Sequence, residues 1–293
     1  MRSLPESEEA PAMTPATDLD PERSLGALVA ELPARAQLFE QLRFDYCCGG
    51  RQSLAETCAK RGLDVAAVRA ALQALDVAER SDDVERRDWR AVGLGELCGR
   101  IVAVHHDGLR EAFPRIGSLL EAAVRVHGAS DPRLHDVQRV FAEVRADLEL
   151  HLASEEGELF PACIAWEQRG TPVDERMISE HEREHAALGD VLSALRVLCD
   201  DYDRTSALCN THQALLAALE AFEQDLHRHV HEENNILLLR VREPHAREAA
   251  AVRRAATPER AAARSIAAPS EALLPCCEGW IAEQTHSWAR HRR

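Results

Sequence analysis

His151 and Glu155 stand four residues apart in HLASEEGELF, inside a stretch whose apolar neighbours keep a helical period. Val137, Phe141, Val144 and Leu148 step by four and three along one face, the next inward positions are His151 and Glu155, and Leu159 follows. The polar pair therefore faces a core. The arrangement recurs near the end of the chain, where Leu215, Leu219, Phe222 and Leu226 lead into His229, Glu233 and Leu237. Aligned, LELHLASEEGEL and LHRHVHEENNIL share the pattern L-x-x-H-x-x-x-E-x-x-x-L. Burying an imidazole or a carboxylate without a partner costs on the order of several kcal/mol, and a metal ion is a partner that serves all four groups at once.

A third helical pattern lies between the two, with Ile178, Leu188, Leu192 and Leu195 as its stripe and both His181 and His185 on it. An earlier pattern runs through Leu94, Ile101, Leu109, Phe113, Ile116 and Leu120. His105 lies nearer the centre of that stripe than His106, and periodicity leaves both open. Four helices that aim two His-x-x-x-Glu turns and two further histidines at one layer describe a dinuclear metal site in a bundle core. Imidazole with carboxylate suits iron, manganese or zinc. Glutamate fits the bridging role, because its two oxygens can span two ions while an imidazole binds one. Ferritin-like ligation needs Glu-x-x-His turns from two helices. Within residues 94–242 only Glu182 and His185 have that spacing. HEREH, residues 181–185, also matches the H-E-x-x-H of zinc metalloproteases, with Glu182 as general base. That remote alternative leaves the doubled turn unexplained and finds no strand pattern to align a peptide.

The elements that must position these residues are helical throughout, since no Val/Ile/Thr/aromatic alternation outlasts a few residues. The expected class is all-α: a four-helix bundle over residues 94–242, split by HGASDPR, QRGTPVD and CDDYDRT, and a small helical unit over residues 21–80. Residues 1–20, rich in Pro, Glu, Ser and Thr, read as a disordered tail. Residues 81–93, opening on SDDVERRDW, read as a linker, and residues 243–293 as an Ala- and Arg-rich extension.

Charge narrows the function classes. Lys and Arg number 35 against 50 Asp and Glu, a net of −15, and the extension after Glu243 holds eight Arg and five Glu, leaving −18 on the rest. Such a surface repels nucleic acid and anionic membranes and tolerates cations. No run approaches the roughly 18 apolar residues of a membrane span, and the N-terminus lacks the order of a signal peptide, which points to the cytoplasm. Nine cysteines in a long chain of this kind read as thiols rather than a disulfide framework. Two adjacent pairs stand out, Cys47-Cys48 and Cys276-Cys277. Adjacent cysteines rarely close a relaxed disulfide, and Gly49-Gly50 frees the backbone to turn sharply beyond the first pair. A mobile loop carrying Cys47 and Cys48 suits thiol exchange or transient binding of iron or a cluster.

The stretches HHDGLREAFP, HLASEEGELFP, SEHEREH and HVHEENN resemble the four helices of the hemerythrin-like domain, and FDYCCGG is similar to the signature of the small N-terminal domain of the di-iron proteins that repair iron-sulfur clusters. The pairing resembles that repair family over roughly residues 22–242. The resemblance implies two carboxylate-bridged, non-haem iron ions held by His106, His151, Glu155, His181, His229 and Glu233, with His185 as an extra ligand if the third helix follows oxygen-carrying hemerythrins. It implies repair of clusters damaged by nitric oxide or peroxide, with Cys47 and Cys48 acting in delivery and iron-sulfur proteins as partners. A homodimer is compatible with it. The alternative of another class is a di-iron site that binds, senses or reduces oxygen or nitric oxide. The family's Phe-Pro after ENN is Leu238-Leu239 here, and the extension has no counterpart in it.

Overall fold

The computed structural model describes residues 19–80 and 87–242. The expected N-terminal tail up to residue 18, residues 81–86 of the expected linker, and the extension from residue 243 with Cys276 and Cys277 lie outside them. Among the described residues every regular element is helical, and extended backbone pairs only in an isolated bridge between Ser24 and Ser53. The fold is all-α.

Four short helices make the small unit: α1 (Leu25–Glu31), α2 (Arg35–Leu42), α3 (Leu54–Arg61) and α4 (Val65–Arg80). Ser24 Oγ accepts from the Ala27 N–H at the start of α1, and Ser53 with Glu56 forms a capping box on α3, so donors that the first turn leaves free are satisfied. Leu25, Leu28, Phe39, Tyr46, Leu54 and Leu72 close a separate core. Arg35 ties the helices together from inside it. Its guanidinium donates to both oxygens of Asp76 at 2.9 and 2.6 Å, to the Leu28 carbonyl at 3.0 Å and to Glu31 at 2.9 Å.

Four rods make the bundle. The first is α5 (Leu94–Ile101) continued by α6 (Asp107–His127), and the second is α7 (Arg133–Ser154) continued by α8 (Phe160–Arg169). The third is α9 (Glu175–Leu198), and the fourth is α10 (Asn210–Glu232). The expected inward stripes meet as two apolar layers. One gathers Phe113, Val144, Leu148, Leu188, Leu219 and Leu226, and the other Leu97, Ile101, Leu159, Ile178 and Leu237. Burying each such side chain contributes about 1.5–3 kcal/mol, so the layers hold the rods in register around whatever lies between them. Between them lies the polar layer.

At that layer three of the rods widen by one π-helical turn, over Val102–His106, Glu155–Leu159 and Glu233–Leu237. A π turn accommodates one extra residue and displaces the following side chains by about 100° around the helix axis. Ile101 and His106, five apart, therefore share the inward face, and the choice that periodicity left open falls to His106.

Candidate metal centre

The His and Glu of both His-x-x-x-Glu turns are buried to at least 98 %, and so are His106 and His185. Their donor atoms fall into two groups that share both glutamates: His106, Glu155, His229 and Glu233 on one side, and His151, Glu155, His185 and Glu233 on the other. Each carboxylate splits its oxygens between the groups. Glu155 Oε1 lies 2.7 Å from His151 Nε2 and 3.5 Å from His185 Nε2, while Oε2 lies 3.4 Å from His106 Nε2 and 3.9 Å from His229 Nε2. Glu233 Oε1 lies 3.1 Å from His229 Nε2, and Oε2 lies 3.1 Å from His185 Nε2.

The far side of the rings fixes their tautomers. His106 Nδ1 donates to Glu156 at 2.7 Å, His151 Nδ1 to Glu184 at 2.7 Å, and His185 Nδ1 to the Asn234 side-chain oxygen at 2.9 Å. A neutral imidazole with its proton on Nδ1 presents a lone pair at Nε2, the arrangement that outer partners impose on metal-binding histidines. Yet Nε2 of His106 faces Nε2 of His229 at 3.2 Å, and Nε2 of His151 faces Nε2 of His185 at 3.0 Å. Lone pairs opposed at that distance repel unless a proton or a cation lies between them. Both Glu155 oxygens and Glu233 Oε2 are buried against these ring nitrogens and have no other hydrogen-bond partner, as expected of donors converging on a common centre. The donor set thus fits two cations.

Without a cation, protons take that role. Burial alone would raise Glu155, but the charge of His151 and bonds from His106, His151 and His185 hold it well below the usual carboxylate value. Burial and the Glu155 charge would likewise raise Glu233, and His229 with His185 bring it down to about 2. Against the burial that would lower it, Glu155 and Glu184 raise His151 to about 9. Burial is overcome in the same way at His106 by Glu155 and Glu156, and at His185, which is raised well above its usual value, by Glu155 and Glu233.

His181 lies beside the second group and outside its four converging donors. Its Nδ1 donates to the Met177 carbonyl at 2.9 Å, its ring centroid is 5.5 Å from that of His151, and its buried Nε2 has no partner. The converging donors of that group include His185. Both rings lie on the same face of α9, one turn apart, with His185 Nε2 among the donors of the group and His181 Nε2 without a partner. His105 turns away, its Nδ1 donating to Asp225 at 3.0 Å, and stacks on His229 at 5.6 Å. Glu182 faces outward to Arg51 at 2.8 Å and Arg242 at 2.5 Å, so HEREH has no general base at a metal and the protease reading fails.

The cysteine loop docks on the same layer. α1 packs on the π turn Glu233–Leu237, and Asn235 in that turn donates to the carbonyls of Tyr46 and Cys47 at 3.2 and 2.8 Å. Cys48 Sγ donates to the backbone carbonyl of His185 at 3.4 Å. Cys47 is buried in the apolar layer of the bundle. Gly49 and Gly50 sit at the expected turn, where the Gln52 N–H donates to the Gly49 carbonyl at 2.9 Å, although neither glycine has a positive φ. They are needed for space. A Cβ on Gly50 would lie 2.4 Å from Asn235 Oδ1 and 2.5 Å from the Tyr46 carbonyl oxygen, and one on Gly26 would lie 2.3 Å from Asn235 Oδ1.

Residues 100–241 match the family described as the hemerythrin HHE cation binding domain, and residues 21–76 match a domain of unknown function, DUF542. The chain is 34 % identical over 221 residues to the iron-sulfur cluster repair protein YtfE of Musicola paradisiaca (strain Ech703), a span covering 75 % of this chain and 96 % of that relative. Proteins of the same name from Yersinia pestis (strain Pestoides F) and Yersinia pseudotuberculosis serotype IB (strain PB1/+) are 33 % identical over 219 residues, covering 74 % of this chain and 96 % of each relative. This chain belongs to that family. Its hemerythrin-type domain, with this His and Glu set, is an iron-binding one.

Within this repair-family chain, sequence reasoning missed the partners that orient the rings. Glu156 and Glu184 each adjoin an inward residue, Glu155 and His185, and that adjacency was the available signal. Asn234 and Asn235 follow Glu233 directly, and only the π turn aims one at His185 and the other at the cysteine loop. His212 is buried, and its Nδ1 accepts from the Leu208 N–H at 3.2 Å. Cys209 caps the start of α10, its Sγ accepting the His212 N–H at 3.5 Å.

Proposed function

We propose that this chain is a non-haem di-iron protein that repairs iron-sulfur clusters damaged by nitrosative or oxidative stress, by supplying iron to client iron-sulfur proteins in the cytoplasm. The observation that carries the reading is the pair of donor groups sharing Glu155 and Glu233, with a dithiol loop seated on the helix that carries His185. Glu155 and Glu233 would serve both metal positions, His106 and His229 would hold one ion, and His151 with His185 would hold the other, with His181 one turn away as a further donor. Iron at these positions supplies a redox-active, Lewis-acidic pair. Glu156, Glu184 and Asn234 hold three rings with Nε2 inward, and the apolar layers keep water from the carboxylates. Protons on His106, His151 and His185 would compete with metal, so loading would expel protons and acid would favour release. Cys47 and Cys48 act in delivery. No helix among the described residues is long and apolar enough to cross a membrane.

Metal analysis of the purified chain is expected to give about two irons per chain. Replacing Cys47 and Cys48 together by serine should leave that content unchanged and sharply slow reactivation of a cluster enzyme damaged by nitric oxide. Repair at the parent rate in that variant overturns the role of the thiols. Binding of nitric oxide or oxygen without repair, even in the parent, selects the gas-binding alternative.

A further inference from the structure

A third donor group lies outside the bundle centre. The Asp45 carboxylate and the sulfurs of Cys47 and Cys48 fall within 4.8 Å of one another. Cys47 Sγ lies 3.3 Å from Asp45 Oδ1 and 3.9 Å from Cys48 Sγ, with no disulfide between the sulfurs. We propose that Asp45, Cys47 and Cys48 form a second kind of metal site, which takes one thiophilic divalent cation, ferrous iron included, on two thiolates and a carboxylate. This rests on the repair reading for its purpose, though not for its chemistry.

The donors are held in place. Asp45 Oδ1 accepts the Cys48 backbone N–H at 2.9 Å, and a Cβ on Gly49 would lie 2.9 Å from Asp45 Oδ2, so glycine leaves the carboxylate the room it occupies. Asn235 pins the carbonyls of Tyr46 and Cys47 from behind. Adjacent cysteines close a disulfide only with strain, which keeps both sulfurs available as ligands. Thiolates suit soft and borderline cations, and a carboxylate adds the oxygen that ferrous iron accepts.

Position separates this group from a structural site. A closed structural site uses four protein ligands, whereas three donors leave coordination positions open. Those positions face a cleft of roughly 520 Å³ lined by Asp45, Cys47, Cys48, Asp190 and Arg196. Asp45 is exposed, Cys48 half-buried and Cys47 buried, so the donors grade from solvent toward the bundle. Cys48 touches the backbone of His185, and Cys47 is buried in the apolar layer of the bundle. The group therefore lies between the bundle centre and the cleft, where a cation leaving one for a client would pass.

Binding balances without a redox step. One divalent cation and two thiols give a dithiolate complex and two protons, which pass to solvent through the cleft. The adjacent Cys48, burial and Asp45 push the Cys47 thiol well up, so protons fill the site when the cation is absent.

The probe is Cd2+, added to the iron-loaded full-length chain with Cys276→Ser and Cys277→Ser in every sample. Thiolate-to-cadmium charge-transfer absorption reports only sulfur ligands, and the bundle centre has none among its donors. The parent should show one such site per chain, lost when Cys47 and Cys48 are both serine, and Asp45→Asn should weaken it about tenfold or more. A signal that is absent from the parent, or that survives the double serine change, overturns the site. If the double variant loses helicity or iron, Asp45→Asn decides: unchanged cadmium affinity overturns the proposal. Cadmium bound as expected alongside absent cluster repair would sink the repair reading and leave this site standing.

Discussion

Loading the bundle centre should expel protons, and the pH dependence that follows has a defined sign. His151 is held at about 9 by Glu155 and Glu184 despite its burial, and His106 and His185 are raised as well. Each must lose its Nε2 proton before that nitrogen can bind a cation. At about pH 7, two pH units below the value of His151, this ring alone weakens binding about 100-fold, or about 2.7 kcal/mol. Affinity for Mn2+ or anaerobic Fe2+ should therefore climb from about pH 6.5 to about 9, and calorimetry in two buffers of different ionisation heat should count at least one proton released. The metal-free chain should behave oppositely. A histidine whose value is raised in the fold contributes stability that is complete below its unfolded value near 6.5 and is lost as pH rises through the folded value. Over the same window the metal-free melting temperature should fall. The lowered values of Glu155 and Glu233 do not interfere, because their contribution is lost only in acid, below the usual carboxylate range. Affinity that stays flat across this window, or a metal-free chain that gains stability there, would refute the reasoning.

Three further outcomes follow from particular contacts. Glu155→Leu or Glu233→Leu removes an oxygen donor from both groups at once, so each should cost an iron or abolish magnetic coupling while circular dichroism stays helical; coupling retained with two irons bound removes the bridging assignment. Arg35→Leu leaves Asp76 buried without its partner and should destabilise the small unit by about 3–5 kcal/mol in denaturant unfolding, with iron content unchanged. Gly50→Ala places a methyl group against Asn235 and the Tyr46 carbonyl, which should cost about 1–3 kcal/mol and speed the reaction of Cys47 and Cys48 with a thiol reagent. Gly108→Ala, whose Cβ meets nothing within 4 Å, should leave that rate unchanged.

By itself the sequence determined the class, the four rods and the four residues of the doubled turn. Hydrophobic period is a local property, and His151, Glu155, His229 and Glu233 occur where an inward stripe would otherwise continue. Tertiary structure decided what depends on small rotations and on distant neighbours. A π turn forms where packing at the polar layer favours it, and its extra residue chose His106 over His105. On α9 both His181 and His185 satisfy the period, and only the position of the neighbouring rods brings His185 among the converging donors. The docking of FDYCCGG against Asn235 joins residues nearly 190 positions apart, and no local pattern encodes such a contact. In the chain Gly50 reads as a turn residue, and no local pattern marks Gly26. Their role exists only once Asn235 occupies the space that their missing side chains leave.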